Sequence, residues 1–405
     1  MVAIRPLRGV RPRNDIAGEV LSPPYDVVSE AEARAIAAAQ PRSFMRVVRS
    51  EVDLPEGCDA HAPEAYTKAR ENLEDFIREG ILSIDEDAAF YLYGQVMGDH
   101  KQMGLLACCS VDEYDQGLIA KHEHTRPAKV EDRTAHIQTL DAQIGLVFLT
   151  FRAEETVKSL LASHSQGAPE WRVTTDDGVE HALWVVRDEG SIAAFQAAFD
   201  QIPKLYIADG HHRSESASRV AALREGDGNH RWFLTGIFSD DELYVMAYNR
   251  IVADLNGHSP EAFLSAVGEV YTVTTNSAPV PAERGQVSMY LAGSWYGLAP
   301  REGMVPSDPV GCLDVAVLQD RILAPVLNID DPRTNDRVAF VGGIRGPEAL
   351  AAAVDSGRAA VAFHMYPTGL DQLFAVADAG EVMPPKSTWF EPKLRAGVVF
   401  HRLSD

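Results

Sequence analysis

The period of the apolar positions changes repeatedly along the chain, and each change marks an element. From Pro63 to Glu79 apolar residues recur at helical spacing (Tyr66, Ala69, Leu73, Phe76, Ile77); a proline opens the run and Gly80 closes it, which predicts an amphipathic helix. Ser29 predicts a cap for a second helix over Glu30 to Ala39. Ala89 to Tyr93, Met103 to Ser110 and Leu118 to His122 read as strands, the last two as a hairpin around the acidic turn 112–117. Helical spacing returns from Thr125 to Leu140, and Gly145 to Phe151, apolar but for Thr150, reads as a buried strand. Residues 153–199 read as helix, strand, strand, helix about Asp176-Asp177-Gly178. Lys204 to Ala208 is a short buried strand that runs into a helix from Ser214 to Glu225. Trp232 to Phe238 and Leu243 to Ile251 are expected to pair as a hairpin. Later come helices at Pro260 to Val267, Val315 to Leu323 and Pro347 to Ser356. Strands are expected at Gln286 to Leu291, Val338 to Val341, Ala359 to Met365 and Ala396 to Leu403.

This mixture predicts an α+β fold, with mixed or antiparallel sheets and flanking helices. The 405 residues exceed the ~250–300 at which one core stops growing, so two lobes are expected. The boundaries read as 1–152 for an N-terminal lobe, 153–200 for a bridging segment and 201–405 for a C-terminal lobe.

Charge narrows the function classes. With 37 Lys and Arg against 59 Asp and Glu the formal net charge is -22, a field that repels nucleic acid, so no nucleic-acid partner is expected. Any site for an anion must gather cations and backbone amides locally. The four cysteines form no disulfide framework and no zinc spacing, and no apolar run approaches a membrane span. The expected location is therefore cytoplasmic, with no membrane partner.

The densest chemistry lies where the strand ending at Ala208 turns into a helix, at Asp209-Gly210-His211-His212-Arg213. The first amides of a helix lack intrahelical partners and its dipole is positive there, so such a turn receives anions readily. Gly210 would allow close approach of a phosphate, Arg213 would grip it, and His211 and His212 would add donors. Asp209 would hold magnesium or accept a proton. The competing reading makes Asp209 a helix cap and lets the histidines satisfy one another.

A second cluster is Lys121-His122-Glu123-His124-Thr125. On a strand, His122 and His124 would share a face and reach one metal ion; Thr125 would cap the next helix, on which Lys129, Arg133 and His136 form a cationic stripe. Ion pairing of that stripe with Glu131 and Asp132 is the plainer alternative. Two proline-stiffened segments complete the set. Met383 to Lys393 would present Lys386 and Lys393 to a shared anion, and Ser22-Pro23-Pro24-Tyr25-Asp26 would place Tyr25 and Asp26 as a substrate anchor or base. Each also reads as simple turn punctuation.

Ser22 to Val27, Lys121 to Thr125 with Lys129 and Asp132-Arg133, Ala208 to Arg213, and Met383 to Phe390 together resemble the bacterial and archaeal domain of unknown function 1015 family (DUF1015), from Val2 to Leu403. The Asp209 to Arg213 core is also similar to the signature of the ParB/sulfiredoxin superfamily, which includes free serine kinases. That resemblance implies a ParB/sulfiredoxin-like core that binds nucleotide phosphates through His211, His212 and Arg213, with Asp209 serving magnesium or the acceptor hydroxyl. It implies ATP or ADP with Mg²⁺ as cofactor and a small hydroxylated amino acid as partner, in the manner of a kinase of serine metabolism. A homodimer is compatible with it. The alternatives are a nucleotide-binding ParB-like regulatory module without phosphoryl transfer, and a metal-dependent nuclease or phosphatase using the histidines. The turn has a histidine where sulfiredoxin places its cysteine, which disfavours sulfinic acid reduction.

Overall fold

A computed structural model describes residues 2–404 of the chain. It divides into two compact units, residues 1–243 with 392–405, and residues 244–391. This departs from the expected boundaries at 152 and 200. Segment 153–200 bridges nothing, because its two strands belong to the sheet of the first unit.

That sheet has nine strands: β1 (Ile4–Arg5), β2 (Phe90–Met97), β3 (His100–Ser110), β4 (Ile119–Ala120), β5 (Val147–Phe151), β6 (Trp171–Thr174), β7 (Glu180–Val186), β8 (Leu205–Asp209) and β9 (Trp232–Ser239). Their order is β4-β8-β5-β9-β3-β2-β7-β6, with β1 beside β3. Pairing is mixed: β8 runs parallel to β4 and antiparallel to β5, while β9 is parallel to β5. Helices flank it: α1 (Glu30–Ala39), α2 (Pro63–Arg78), α3 (Pro127–Leu140), α4 (Glu155–His164), α5 (Glu189–Phe199) and α6 (His211–Leu223). The expected helices at 30–39 and 63–79 are present. Ser29 and Glu32 close a reciprocal capping box on α1, and Pro63 opens α2.

The core of this unit is apolar on both sides of the central strands, with Leu105, Leu149, Ile207 and Ile237 fully buried beside Phe151, Phe195 and Phe199. The largely apolar run at 146–151 is explained by this double coverage. Two expected hairpins do not form. Residues 111–115 are a short helix, and β4 lies parallel to β8; the hairpin is instead β2 with β3. Trp232 to Ser239 joins the first unit, whereas Tyr248 onward belongs to the second. The expected closing strand shortens to His401–Arg402, with isolated bridges at Ala396 and Phe400.

The second unit carries a six-stranded, wholly antiparallel sheet: β10 (Tyr248–Val252), β11 (Tyr271–Thr275), β12 (Val287–Leu291), β13 (Ser294–Pro300), β14 (Val338–Gly342) and β15 (Val361–Met365), ordered β11-β13-β12-β15-β10-β14. Helices α7 (Pro260–Val270), α8 (Gly346–Asp355) and α9 (Leu370–Asp378) accompany it. Among the described residues no helix is long and apolar enough to cross a membrane.

Candidate functional site

Strand β8 is buried until its last residue, Asp209, whose side chain emerges half-buried after a register shift against β5. Gly210 follows with φ of 103°, a backbone conformation that side chains resist, and turns the chain straight into α6. Gly210 is the residue that begins the helix, and no side-chain hydrogen bond caps it. Asp209 is therefore not the cap. Its carboxylate lies 3.2 Å from Lys393 Nζ and 3.5 Å from an Arg213 nitrogen. Burial pushes this carboxyl up, but Lys393 and Arg213 outweigh it and hold it well below the usual carboxylate range. Two cations thus surround one carboxylate at a helix start.

Arg213 is fixed from both sides. One guanidinium nitrogen donates to the Leu146 carbonyl at the entry to β5, and Gly145 leaves room for the side chain. A methyl group at Gly145 or at Gly210 would come within 3.2 Å of Arg213 atoms. Both glycines shape the channel this arginine occupies.

Beyond Arg213 lies a cavity of about 60 Å³ lined by Tyr25, Arg133, His136, Gly145, Leu146 and Arg213 among others. Tyr25 stands on the turn predicted from Pro23-Pro24; Arg49 holds that turn by donating to the carbonyls of Tyr25 and Val28 at 3.1 and 3.0 Å. The Arg133 guanidinium sits 4.4 Å over the Tyr25 ring and donates to Asp132 at 2.7 Å. Burial raises the Asp132 carboxyl, yet Arg133, Tyr66 and His61 draw it down to about 2. The ion pair weighed for the α3 stripe therefore exists for Arg133. Of that stripe, Lys129 is exposed and does not line the cavity, while His136 does, buried beneath it.

The histidines are placed differently from expectation. His211 is buried; its Nε2 accepts the His122 amide at 3.3 Å, which leaves Nδ1 as the protonated nitrogen, 3.9 Å from Glu123. His212 Nε2 accepts the Arg126 amide at 3.0 Å. Both rings hold loop 121–126 against α6, so neither presents Nε2 to a phosphate. The strand expected over 118–124 ends at Ala120. In consequence His122 is buried and stacks edge-on to His211 at 4.5 Å, while His124 is exposed, and the two do not share a face. Burial lowers the His122 imidazole to about 4, so it is neutral at pH 7. Its Nδ1 has no hydrogen-bond partner among the described residues. Thr125 does not cap α3 either: Arg126 is the capping position and makes no side-chain cap bond.

Asp26 is exposed and outside the cavity lining. Lys386 belongs to the second unit, where it adopts φ of 58° with Nζ 5.3 Å from the Tyr248 ring centre. The anchoring of Arg213 by Gly145 and Leu146 is not foreseen from the sequence, where a glycine ahead of a largely apolar run is the signal. Among the described residues no group of three or more His, Cys, Asp or Glu side chains is arranged to hold a metal ion.

The model of the family described as protein of unknown function (DUF1015) matches residues 4–316. The chain belongs to this family. Curated proteins give no match. Among solved structures, this DUF1015 chain is similar to SbnI with C-terminal truncation from Staphylococcus aureus, at 12% identity over 71% of this chain and 84% of that one, with a TM-score of 0.38. It is also similar to a free serine kinase mutant in complex with ADP, at 12% identity, 71% and 87% coverage and a TM-score of 0.36. A conserved hypothetical protein from Pyrococcus furiosus matches at 13% identity, 71% and 90% coverage and a TM-score of 0.33.

Proposed function

We propose that the first unit is a nucleotide-dependent phosphotransferase acting on a small hydroxyl acceptor, with free L-serine as the acceptor that the Asp209 to Arg213 motif favours. One observation carries this reading: a carboxylate between two cations at a helix start that no side chain caps, with one of those cations, Arg213, lining a cavity beside Tyr25 and Arg133. The uncapped first amides of α6 and the positive end of its dipole add to these cations, so the turn receives an anion readily.

In this reading the α6 amides, Arg213 and Lys393 hold the nucleotide's phosphates, and Tyr25 with Arg133 forms a flat wall against which a base can stack. The acceptor oxygen bonds to the terminal phosphorus as the bond to the bridging oxygen breaks. Asp209, held ionised far below neutral pH, is a weak proton acceptor and orients the hydroxyl; Glu123 takes the proton. The motif resemblance implies magnesium as well. The residues do not fit an ion site built by the protein, since Asp209 is already neutralised by Lys393 and Arg213. Charge at the phosphates is assigned to the one positive charge that Lys393 and Arg213 hold in excess of Asp209, together with the first α6 amides.

The test is to incubate the full chain with L-serine and ATP or ADP and follow phosphoserine by phosphorus NMR. Phosphoserine formed by the wild type and reduced at least 100-fold in Arg213→Ala is the expected result. Saturable nucleotide binding without any phosphorylated product from serine or related hydroxy acids would overturn the transferase reading in favour of a binding module.

A further inference from the structure

A second cationic cavity lies in the first unit and shares no lining residue with the Arg213 cavity. It encloses about 120 Å³, and its walls include Arg5, Arg8, Arg402, His401, Asn229 and Cys108, with no carboxylate among its described lining residues. The backbone is paired at or beside all three arginines, of which Arg5 and Arg8 are exposed and Arg402 half-buried. Arg5 is in register with Cys108 in the β1–β3 pair, the Leu7 and Ala89 backbones exchange two 3.0 Å bonds between Arg5 and Arg8, and Arg402 pairs with Ala142. Asn229 ties the far wall, donating to the Arg402 carbonyl at 3.2 Å while its own carbonyl accepts from His401 Nε2 at 3.1 Å.

The three guanidiniums have poor partners. Arg5 lies 5.7 Å from the Trp232 ring centre, and among the described residues Arg8 donates to the Asp85 carbonyl at 3.4 Å. None of the three forms an ion pair with a described carboxylate, although acidic residues outnumber basic ones by 59 to 37. Elsewhere in the same unit Arg11, Arg46, Arg49 and Arg133 each have one. Like charges gathered around one hollow repel, and a compact oxyanion relieves that repulsion while meeting the planar donor forks of arginine.

We propose that this cavity binds a phosphate group, either inorganic phosphate or the phosphoryl end of a small monoester, at a site separate from the Asp209 turn. The test is calorimetric titration of the full chain with inorganic phosphate and, separately, with glycerol phosphate, against potassium chloride at matched ionic strength. The Arg213→Ala background removes the contribution of the first site, so failure here and failure of the transferase reading are distinguishable. Saturable binding should persist in Arg213→Ala and weaken at least tenfold when Arg5→Gln and Arg402→Gln are added. If that variant does not fold, Arg8→Gln alone should weaken binding several-fold. Tighter binding of the monoester than of phosphate identifies the esterified form as the ligand; the reverse identifies the free ion. Binding in Arg213→Ala no stronger than the chloride control, or undiminished by the arginine substitutions, would overturn the proposal.

Discussion

Adding one methyl group at Gly210 strikes the backbone and the arginine together. The residue has φ of 103°, and an L side chain held in left-handed backbone costs roughly 1–2 kcal/mol. The new Cβ would lie 3.2 Å from Arg213 Cζ and Nε, so the guanidinium must move away from Asp209. A hydrogen bond to a charged group contributes about 1.5–3 kcal/mol, which in nucleotide affinity corresponds to roughly 10- to 150-fold. Gly145→Ala separates the two effects. Its Cβ would press on Arg213 Cδ at the same 3.2 Å, but Gly145 has no positive φ. Urea unfolding and calorimetric titration with ADP and ATP measure both quantities. Gly210→Ala should lose stability and affinity, and Gly145→Ala mainly affinity. If Gly210→Ala lost only stability and Gly145→Ala lost neither, Arg213 would not be the anion-binding group.

Two further outcomes follow from the electrostatics. Buried His122 and His136 are held neutral, lowered by burial to about 4 and about 3, against about 6.5 when unfolded. The unfolded chain therefore takes up protons first as pH falls, and stability present above pH 6.5 declines towards pH 4, by on the order of 3 kcal/mol for each histidine. Urea midpoints across that range should fall, and His136→Phe should make the slope shallower; an unchanged slope would contradict the burial. The depressed Asp209 carboxyl acts in a lower window, with stability present above its unfolded pKa near 4 and lost below it. Lys393→Met should destabilise by about 1–2 kcal/mol at pH 7 and weaken the acid sensitivity below pH 4, both readable by thermal unfolding.

Local pattern carried much of this. The amphipathic spacing of Tyr66, Ala69, Leu73 and Phe76 and the Ser29 cap are complete within a few residues, and the helices they predict are there. The strand-turn-helix at 205–223 is equally local, because a glycine next to charged residues has few other uses. Pairing partners are not local. Leu118 to His122 shows the same alternation whether it folds back on β3 or lies parallel to β8, and only the packed sheet decides. Trp232 to Phe238 and Leu243 to Ile251 read as one hairpin yet are divided between two units. The site followed the same rule: the Asp209 turn was legible, whereas its partner Lys393 returns from 184 residues away. The histidines were misjudged for a related reason, since composition does not reveal that their rings accept the amides of His122 and Arg126.

The most direct measurement is the thermal shift that ATP or ADP produces in the full-length wild type and in Arg213→Ala. A ligand bound only by the folded state raises its unfolding temperature by mass action. A concentration-dependent rise is expected in the wild type and none in an otherwise folded Arg213→Ala. An equal rise in both proteins would contradict it.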